Sequence, residues 1–125
     1  MQKISLLEWI LRIAVCGTFL GHGIFALKQN PAWIPFLTHW GISQEIALDL
    51  MIAIGTIDLV IALVTMIRPN KYVLMYATAW AFAAALMRPI TGASIWAFIE
   101  RAANWSAPLA LLWLRKKGIG DYPNH

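Results

Sequence analysis

Apolar residues fall into four long runs along this chain of 125 residues, and short polar or proline-containing connections separate them. The runs cover about residues 5–27, 43–67, 71–88 and 93–114. A helix rises about 1.5 Å per residue, so about 20 residues cross the hydrocarbon core of a bilayer. Leu, Ile, Ala, Met and Trp dominate the runs, without the alternating polarity of membrane-barrel strands. The pattern therefore predicts four transmembrane helices.

The connections between the runs carry helix-stopping residues. Residues 68–71 read RPNK and residues 88–92 read RPITG, and proline interrupts a helix because it lacks the backbone N–H. The longest connection, residues 28–41, reads KQNPAWIPFLTHWG. Its aromatic rings favour the headgroup level of a bilayer, so we expect an interfacial loop there. We predict an all-α, membrane-embedded four-helix bundle that forms a single domain over residues 1–125.

The composition supports an integral membrane protein. The chain is 60% hydrophobic and 13% charged, which is more apolar surface than a soluble domain of this size can bury. It has one cysteine, Cys16, so it forms no internal disulfide and no cysteine-rich metal site. We predict no metal and no covalently bound cofactor.

The distribution of basic residues predicts an orientation. The net charge is +4. In a membrane protein, an excess of basic residues indicates the orientation in the bilayer rather than a nucleic-acid partner. Two basic residues fall on one side of the predicted bundle, Lys28 and Arg88. The larger group on the other side comprises Lys3, Arg68, Lys71, Arg115, Lys116 and Lys117. The positive-inside rule then places both termini in the cytoplasm, and we expect a bacterial inner (cytoplasmic) membrane.

Charged residues also lie inside the apolar runs. An unpaired charge at the centre of a membrane helix costs about 3 kcal/mol on insertion scales, so we expect these charges to pair. Arg12 and Asp58 match in predicted depth, which suggests a structural ion pair that Glu8, one turn before Arg12, can share. Glu100 and Arg101 are adjacent and point about 100° apart on a helix, so we expect each to pair elsewhere.

A second polar group lies near the predicted outer surface. It forms a candidate polar pocket for a ligand, and comprises His22, Arg88, Trp96, Glu100, Arg101 and Asn104. Hydrogen-bond donors near a tryptophan suit a quinone head, with Trp96 or Trp80 stacking on the ring, and a lipid is the other candidate ligand. The alternative is that these groups only fix the register of the helices. No catalytic residue is predicted.

Small residues mark the faces on which the helices are expected to pack. On the second run they share a stripe with Asp58 and Thr65, and on the third they are alanines. On the first run Gly17 and Gly21 have the small-xxx-small spacing. The stripes of the second and third runs comprise Gly55, Asp58, Ala62 and Thr65, and Ala77, Ala81, Ala84 and Ala85.

The first run contains the motif Leu11-Arg12-Ile13-Ala14, then Phe19-Leu20-Gly21-His22-Gly23, with Lys28 soon after. This arrangement resembles the first helix of the DoxX-like family of small four-helix integral membrane proteins. Arg88-Pro89, followed by residues 96–105, which read WAFIERAANW, resembles a subset of that family. The resemblance implies a four-helix membrane bundle in which Arg12 and His22 are family positions. Some members are membrane subunits of oxidoreductases, such as thiosulfate:quinone oxidoreductase, and others look like partners of thiol-stress enzymes.

Three functions are compatible with these features. The first is an accessory or structural subunit of a larger membrane complex, with membrane lipid and other membrane subunits or a homo-oligomer as partners. The alternative is a quinone- or lipid-binding subunit of an oxidoreductase. The second alternative is a proton, ion or small-solute transporter that uses Asp58, Glu100 and Arg12 as a relay. We expect a subunit rather than a stand-alone enzyme.

Overall fold

The computed structural model describes residues 5–121, and the side chains of residues 5–115. Lys3 and the side chains of Lys116 and Lys117, on which the predicted orientation partly depends, lie outside that description. Every regular element within residues 5–121 is helical. The α-helices are α1 (Leu6–Leu27), α2 (Ile34–Thr38), α3 (Gln44–Ile67), α4 (Lys71–Ile90), α5 (Ile95–Ile99) and α6 (Ala102–Asp121).

Capping side chains define where the first long helices begin. The Ser5 hydroxyl accepts a hydrogen bond from the backbone N–H of Glu8 at 3.0 Å, at the start of α1. Ser43 caps α3 in the same way, and the Asn70 side chain accepts two backbone N–H bonds at the start of α4. Each cap satisfies donors that a helix start otherwise leaves unpaired. Helices α1 and α3 lie where the first two apolar runs predict them, whereas α4 continues through Pro89 to Ile90, two residues beyond its predicted end.

Three of the helices are long and apolar enough to cross a membrane. They are α1, α3 and α4, with 22, 24 and 20 residues. Their ends define two ends of the molecule. The turn end carries residues 68–70 and the start of α1, and the loop end carries residues 28–43 and 91–101.

The fourth apolar run is not the single helix that the sequence predicts over residues 93–114. It consists of the short α5 and the longer α6, which are separated at Glu100 and Arg101. Tight i to i+3 backbone bonds, Arg101 N–H to Phe98 O and Asn104 N–H to Arg101 O, accompany the break. The break places the two charges at the loop end instead of within a continuous apolar helix.

Helix α1 packs most extensively against α3, at a point where two glycines meet. A methyl group on Gly55 would lie 2.8 Å from the Gly23 carbonyl oxygen, and one on Gly23 would lie 3.0 Å from the Gly55 oxygen. The expectation that Gly17 and Gly21 form the packing face of α1 is wrong, since both face open space. Close helix approach requires small residues at the crossing itself, and the crossing lies at Gly23.

The core draws on all four longer helices. Its centre is a set of small and aliphatic side chains with one phenylalanine. These residues are Val15, Phe19, Ile61, Ala62, Leu74, Ala77, Ala81 and Leu111. The stripe predicted on α3 is buried throughout, as are three of the four alanines predicted on α4; the fourth, Ala84, is partly exposed. Helix α4 packs on α6, and α6 also contacts α1.

We predict that Gly55→Leu destabilises the protein far more than Gly17→Leu. The added side chain at residue 55 meets the backbone of α1, and overpacking typically costs about 1–3 kcal/mol. At residue 17 it meets open space. Unfolding in increasing dodecyl sulfate, followed by far-ultraviolet circular dichroism, measures both. Equal losses of stability would contradict the close contact between α1 and α3.

Candidate functional site

A cavity of about 360 Å³ lies among α1, α3 and α4 near the loop end. Residues of the 28–43 connection cover it, so four parts of the chain contribute to its wall. The wall is mainly apolar and aromatic, with three ionisable side chains. The lining residues are His22, Ala26, Trp33, Phe36, Leu37, Trp40, Met51, Ile54, Asp58, Trp80, Ala83, Ala84, Met87 and Arg88.

Helical spacing brings the lining residues of each helix to one face. His22 and Ala26 are four residues apart on α1, and Met51, Ile54 and Asp58 follow at intervals of three and four on α3. The α4 lining residues repeat the same spacing. Alanines at three lining positions leave the space that longer side chains would fill.

The connection over the cavity is held by hydrogen bonds and turns. The Gln29 side-chain amide donates to the Leu48 carbonyl oxygen at 3.2 Å, which ties the connection to α3. Asn30 accepts a bond from the backbone N–H of Ala32 at 3.1 Å and starts a 3₁₀ turn at Pro31–Trp33. Gly41, with φ of 87°, permits the return into α3. The aromatic side chains of this segment therefore have a defined position above the cavity.

Arg88 lies against those aromatic rings. Its guanidinium carbon is 4.7 Å from the centre of the Phe36 ring and 6.0 Å from that of Trp33, within the range of cation–π attraction. Its Nε is buried and has no hydrogen-bond partner. No carboxylate among the described residues lies within ion-pair distance of it. Arg88 thus presents unused donors at the cavity.

His22 meets the same tryptophan from α1. Its ring lies edge-on to Trp33, with the ring centres 5.6 Å apart. No hydrogen bond joins the His22 side chain to another side chain described in residues 5–115, so its ring nitrogens are available to a ligand. Neutral imidazole offers one donor and one acceptor.

Asp58 lies in the wall formed by α3 and is only 3% exposed. Its Oδ1 is buried and has no hydrogen-bond partner. The predicted Arg12–Asp58 ion pair is therefore wrong. An unsatisfied buried acceptor is costly, so this carboxyl is the least compensated group in the wall.

Arg12 pairs with Glu8 instead. Its Nε and Nη2 donate to Glu8 Oε2 at 3.1 and 2.7 Å, and its Nη1 donates to the Met66 carbonyl oxygen at 3.3 Å. Arg115 of α6 donates to the same Glu8 oxygen at 2.8 Å. A partner one helical turn away is already in place, whereas a partner on α3 must be reached across the interface. This charge cluster joins α1, α3 and α6 at the turn end.

The predicted polar pocket is only partly assembled at the cavity. His22 and Arg88 line it, whereas Trp96, Glu100, Arg101 and Asn104 do not. Trp96 is 68% exposed. The expectation that Glu100 and Arg101 do not pair with each other is also wrong. Arg101 Nη1 lies 2.8 Å from Glu100 Oε1 and donates to the Ala97 oxygen at 2.8 Å, because the helix breaks between α5 and α6.

Sequence reasoning missed the contribution of the aromatic connection. Trp33, Phe36 and Trp40 line the cavity, a role that the expectation of an interfacial loop does not include. Two prolines and three aromatic residues within ten positions were the available signal for an ordered covering segment. Trp80, which the sequence analysis offers as a stacking partner for a flat ring, lies in the cavity wall.

The chain matches no protein-family model, no curated protein and no solved structure. The resemblance of its first helix to the DoxX-like family therefore stays a prediction.

We predict that Glu8→Ala destabilises the protein by about 3 kcal/mol or more, because it leaves Arg12, 5% exposed, without its counter-ion. The matched change Glu100→Ala removes the carboxylate of an ion pair whose Glu100 side chain is 67% exposed, and should cost less than about 1 kcal/mol. Unfolding in increasing dodecyl sulfate measures the loss in the free energy of unfolding for both variants. A smaller loss for Glu8→Ala than for Glu100→Ala would contradict the described pairing.

Proposed function

We propose that this chain is an integral membrane protein whose loop-end cavity binds a small, flat, mainly apolar molecule with carbonyl or hydroxyl oxygens, the class that includes quinones. The observation that carries the proposal is the cavity itself. Its aromatic wall contains Arg88, His22 and Asp58, and none of these side chains has a hydrogen bond or ion pair to another described residue.

Membrane embedding is supported by the outward faces of the helices. Large apolar side chains are exposed on α1, α3 and α4, among them Leu6 at 77% and Ile67 at 68%. Soluble monomers rarely expose apolar surface on this scale, whereas lipid covers it. We propose that α5 and α6 together provide a fourth crossing, which completes a four-helix bundle. The Glu100–Arg101 pair then lies near the headgroup level.

The charges at the two ends support an orientation. Arg68, Lys71 and Arg115 lie at the turn end, whereas Lys28 and Arg88 lie at the loop end. By the positive-inside rule we place the turn end and both termini in the cytoplasm, in a bacterial inner membrane. The cavity then lies in the outer half of the bilayer.

The cavity dimensions and chemistry fit a ring-shaped ligand. Its volume is at the lower end of the range for small-molecule sites, which are mostly apolar with a few placed polar groups. Trp33 and Trp80 line the cavity, and an indole ring can stack on a flat aromatic ligand. Arg88 can donate to a carbonyl or ether oxygen, and His22 can donate or accept. A neutral molecule with oxygens on a flat ring meets all of these groups.

We propose that the protein acts as a subunit of a larger membrane assembly. The described residues outside the long helices are short connections, which leaves chemistry on a bound molecule to a partner. A transporter is less well supported. Its expected relay residues lie apart, since Arg12 pairs with Glu8 and Glu100 pairs with Arg101.

The orientation predicts which single-cysteine variants react from outside. In a Cys16→Ala background, His39→Cys should react with a membrane-impermeant maleimide added to spheroplasts, whereas Arg68→Cys should react only after lysis. Both positions are exposed, so accessibility within the protein is matched. The opposite labelling pattern would overturn the orientation, and labelling of both before lysis would overturn membrane crossing.

The binding proposal predicts a difference between two tryptophans. Full-length protein in lipid nanodiscs should bind decylubiquinone in isothermal titration calorimetry, after subtraction of empty nanodiscs. Trp80→Ala should weaken binding about tenfold because it removes an aromatic wall. Trp96→Ala, at an exposed position outside the cavity, should leave it unchanged. Equal effects of the two substitutions would contradict the proposal, as would a wild type that binds neither decylubiquinone nor a ring with a free hydroxyl group.

A further inference from the structure

We infer that Asp58 makes the cavity selective for a ring that carries a hydroxyl group at its deep end, such as a phenol or hydroquinone. A ring that bears only acceptor oxygens is disfavoured. This inference rests on the proposed function, because it assigns a chemical polarity to the ligand of the same cavity.

Asp58 differs from the other buried ionisable residues. Within residues 5–115 three ionisable side chains are classed as buried: Glu8, Arg12 and Asp58. The first two are paired with each other at 2.7 Å. Asp58 Oδ1 is buried without a hydrogen-bond partner, and Asp58 is one of the residues that line the cavity. The missing hydrogen-bond donor is therefore expected from a molecule inside the cavity.

The unpaired polar groups of the cavity lie at different heights along the helix axes. Helices α3 and α4 run antiparallel through the turn at 68–70, so Asp58, nine residues before Ile67, is level with Trp80, nine residues after Lys71. Arg88 is eight residues beyond Trp80 and thus about 12 Å nearer the loop end. The unpaired acceptor therefore lies deeper, farther from the loop end, than the unpaired donor.

Arg88 and Asp58 require different hydrogen-bonding atoms on a ligand. Guanidinium has donors only, so Arg88 needs an acceptor oxygen. The ionised carboxylate of Asp58 has acceptors only, so it needs a donor, which a hydroxyl supplies and an ether or quinone carbonyl does not. A ring with a hydroxyl at one end and an acceptor oxygen at the other satisfies both groups in one orientation. Sites that hydrogen-bond a hydroxyl reject analogues that lack it, because the protein group is then left unpaired.

Two probes isolate the hydroxyl. They are 4-methoxy-1-naphthol and 1,4-dimethoxynaphthalene, which differ only in methylation of one oxygen. Calorimetry on the full chain in nanodiscs, corrected for partition into empty nanodiscs, should show about tenfold tighter binding of the naphthol. Asp58→Leu should abolish this preference, and the exposed Asp49→Leu on the same helix should preserve it. Asp58→Asn, which keeps an acceptor oxygen, should retain a preference.

The outcomes separate the inference from the function on which it rests. Equal binding of both probes to the wild type, tighter binding of the dimethoxy probe, or a preference that survives Asp58→Leu overturns the role of Asp58. In each of those cases the cavity still binds a ring. Failure of both naphthalenes and of decylubiquinone to bind overturns the proposed function. Circular dichroism shows that each variant is folded, and replacing an unpaired buried polar group by an apolar one favours folding.

Discussion

The contact between the Gly23 and Gly55 backbones is the constraint on which the cavity depends. It brings α1 and α3 so close that a single methyl group on Gly55 would meet an oxygen at 2.8 Å. His22 adjoins one glycine, and Asp58 lies one turn from the other. The same approach lets Arg12 reach the Met66 carbonyl near the end of α3. A wider separation of these helices would disperse the polar groups around the cavity.

Several charged side chains of this apolar protein lie where an oppositely charged side chain can pair with them. Glu8 accepts hydrogen bonds from two arginines at the turn end. Glu100 and Arg101 pair where α5 gives way to α6. Asp58 and Arg88, which have no hydrogen-bond or ion-pair partner among the described residues, both line one cavity. Ionisable side chains without partners are energetically costly in an apolar interior, so packing alone does not explain them. They are the main reason to propose that the cavity is a binding site.

Local sequence signals predicted what is local in the fold. Three apolar runs with Ser or Asn caps became helices, since length, hydropathy and capping act within each run. The sequence does not predict the break between α5 and α6 at Glu100, because the mean hydropathy of this segment stays positive despite its two charged residues. Matching residues by depth paired Arg12 with Asp58, but a partner one turn away on the same helix competes better. The position of Trp33 over the cavity depends on how its connection folds back, which no local pattern specifies.

Native mass spectrometry of the gently extracted protein tests most directly whether the cavity holds a small molecule. The comparison needs two variants, Ala84→Trp, which fills the cavity wall, and Ala79→Trp, at an exposed position of the same helix. The account predicts a small-molecule adduct on the wild type and on Ala79→Trp that is absent from Ala84→Trp. An adduct that survives Ala84→Trp, or a wild type at its sequence mass, would contradict it.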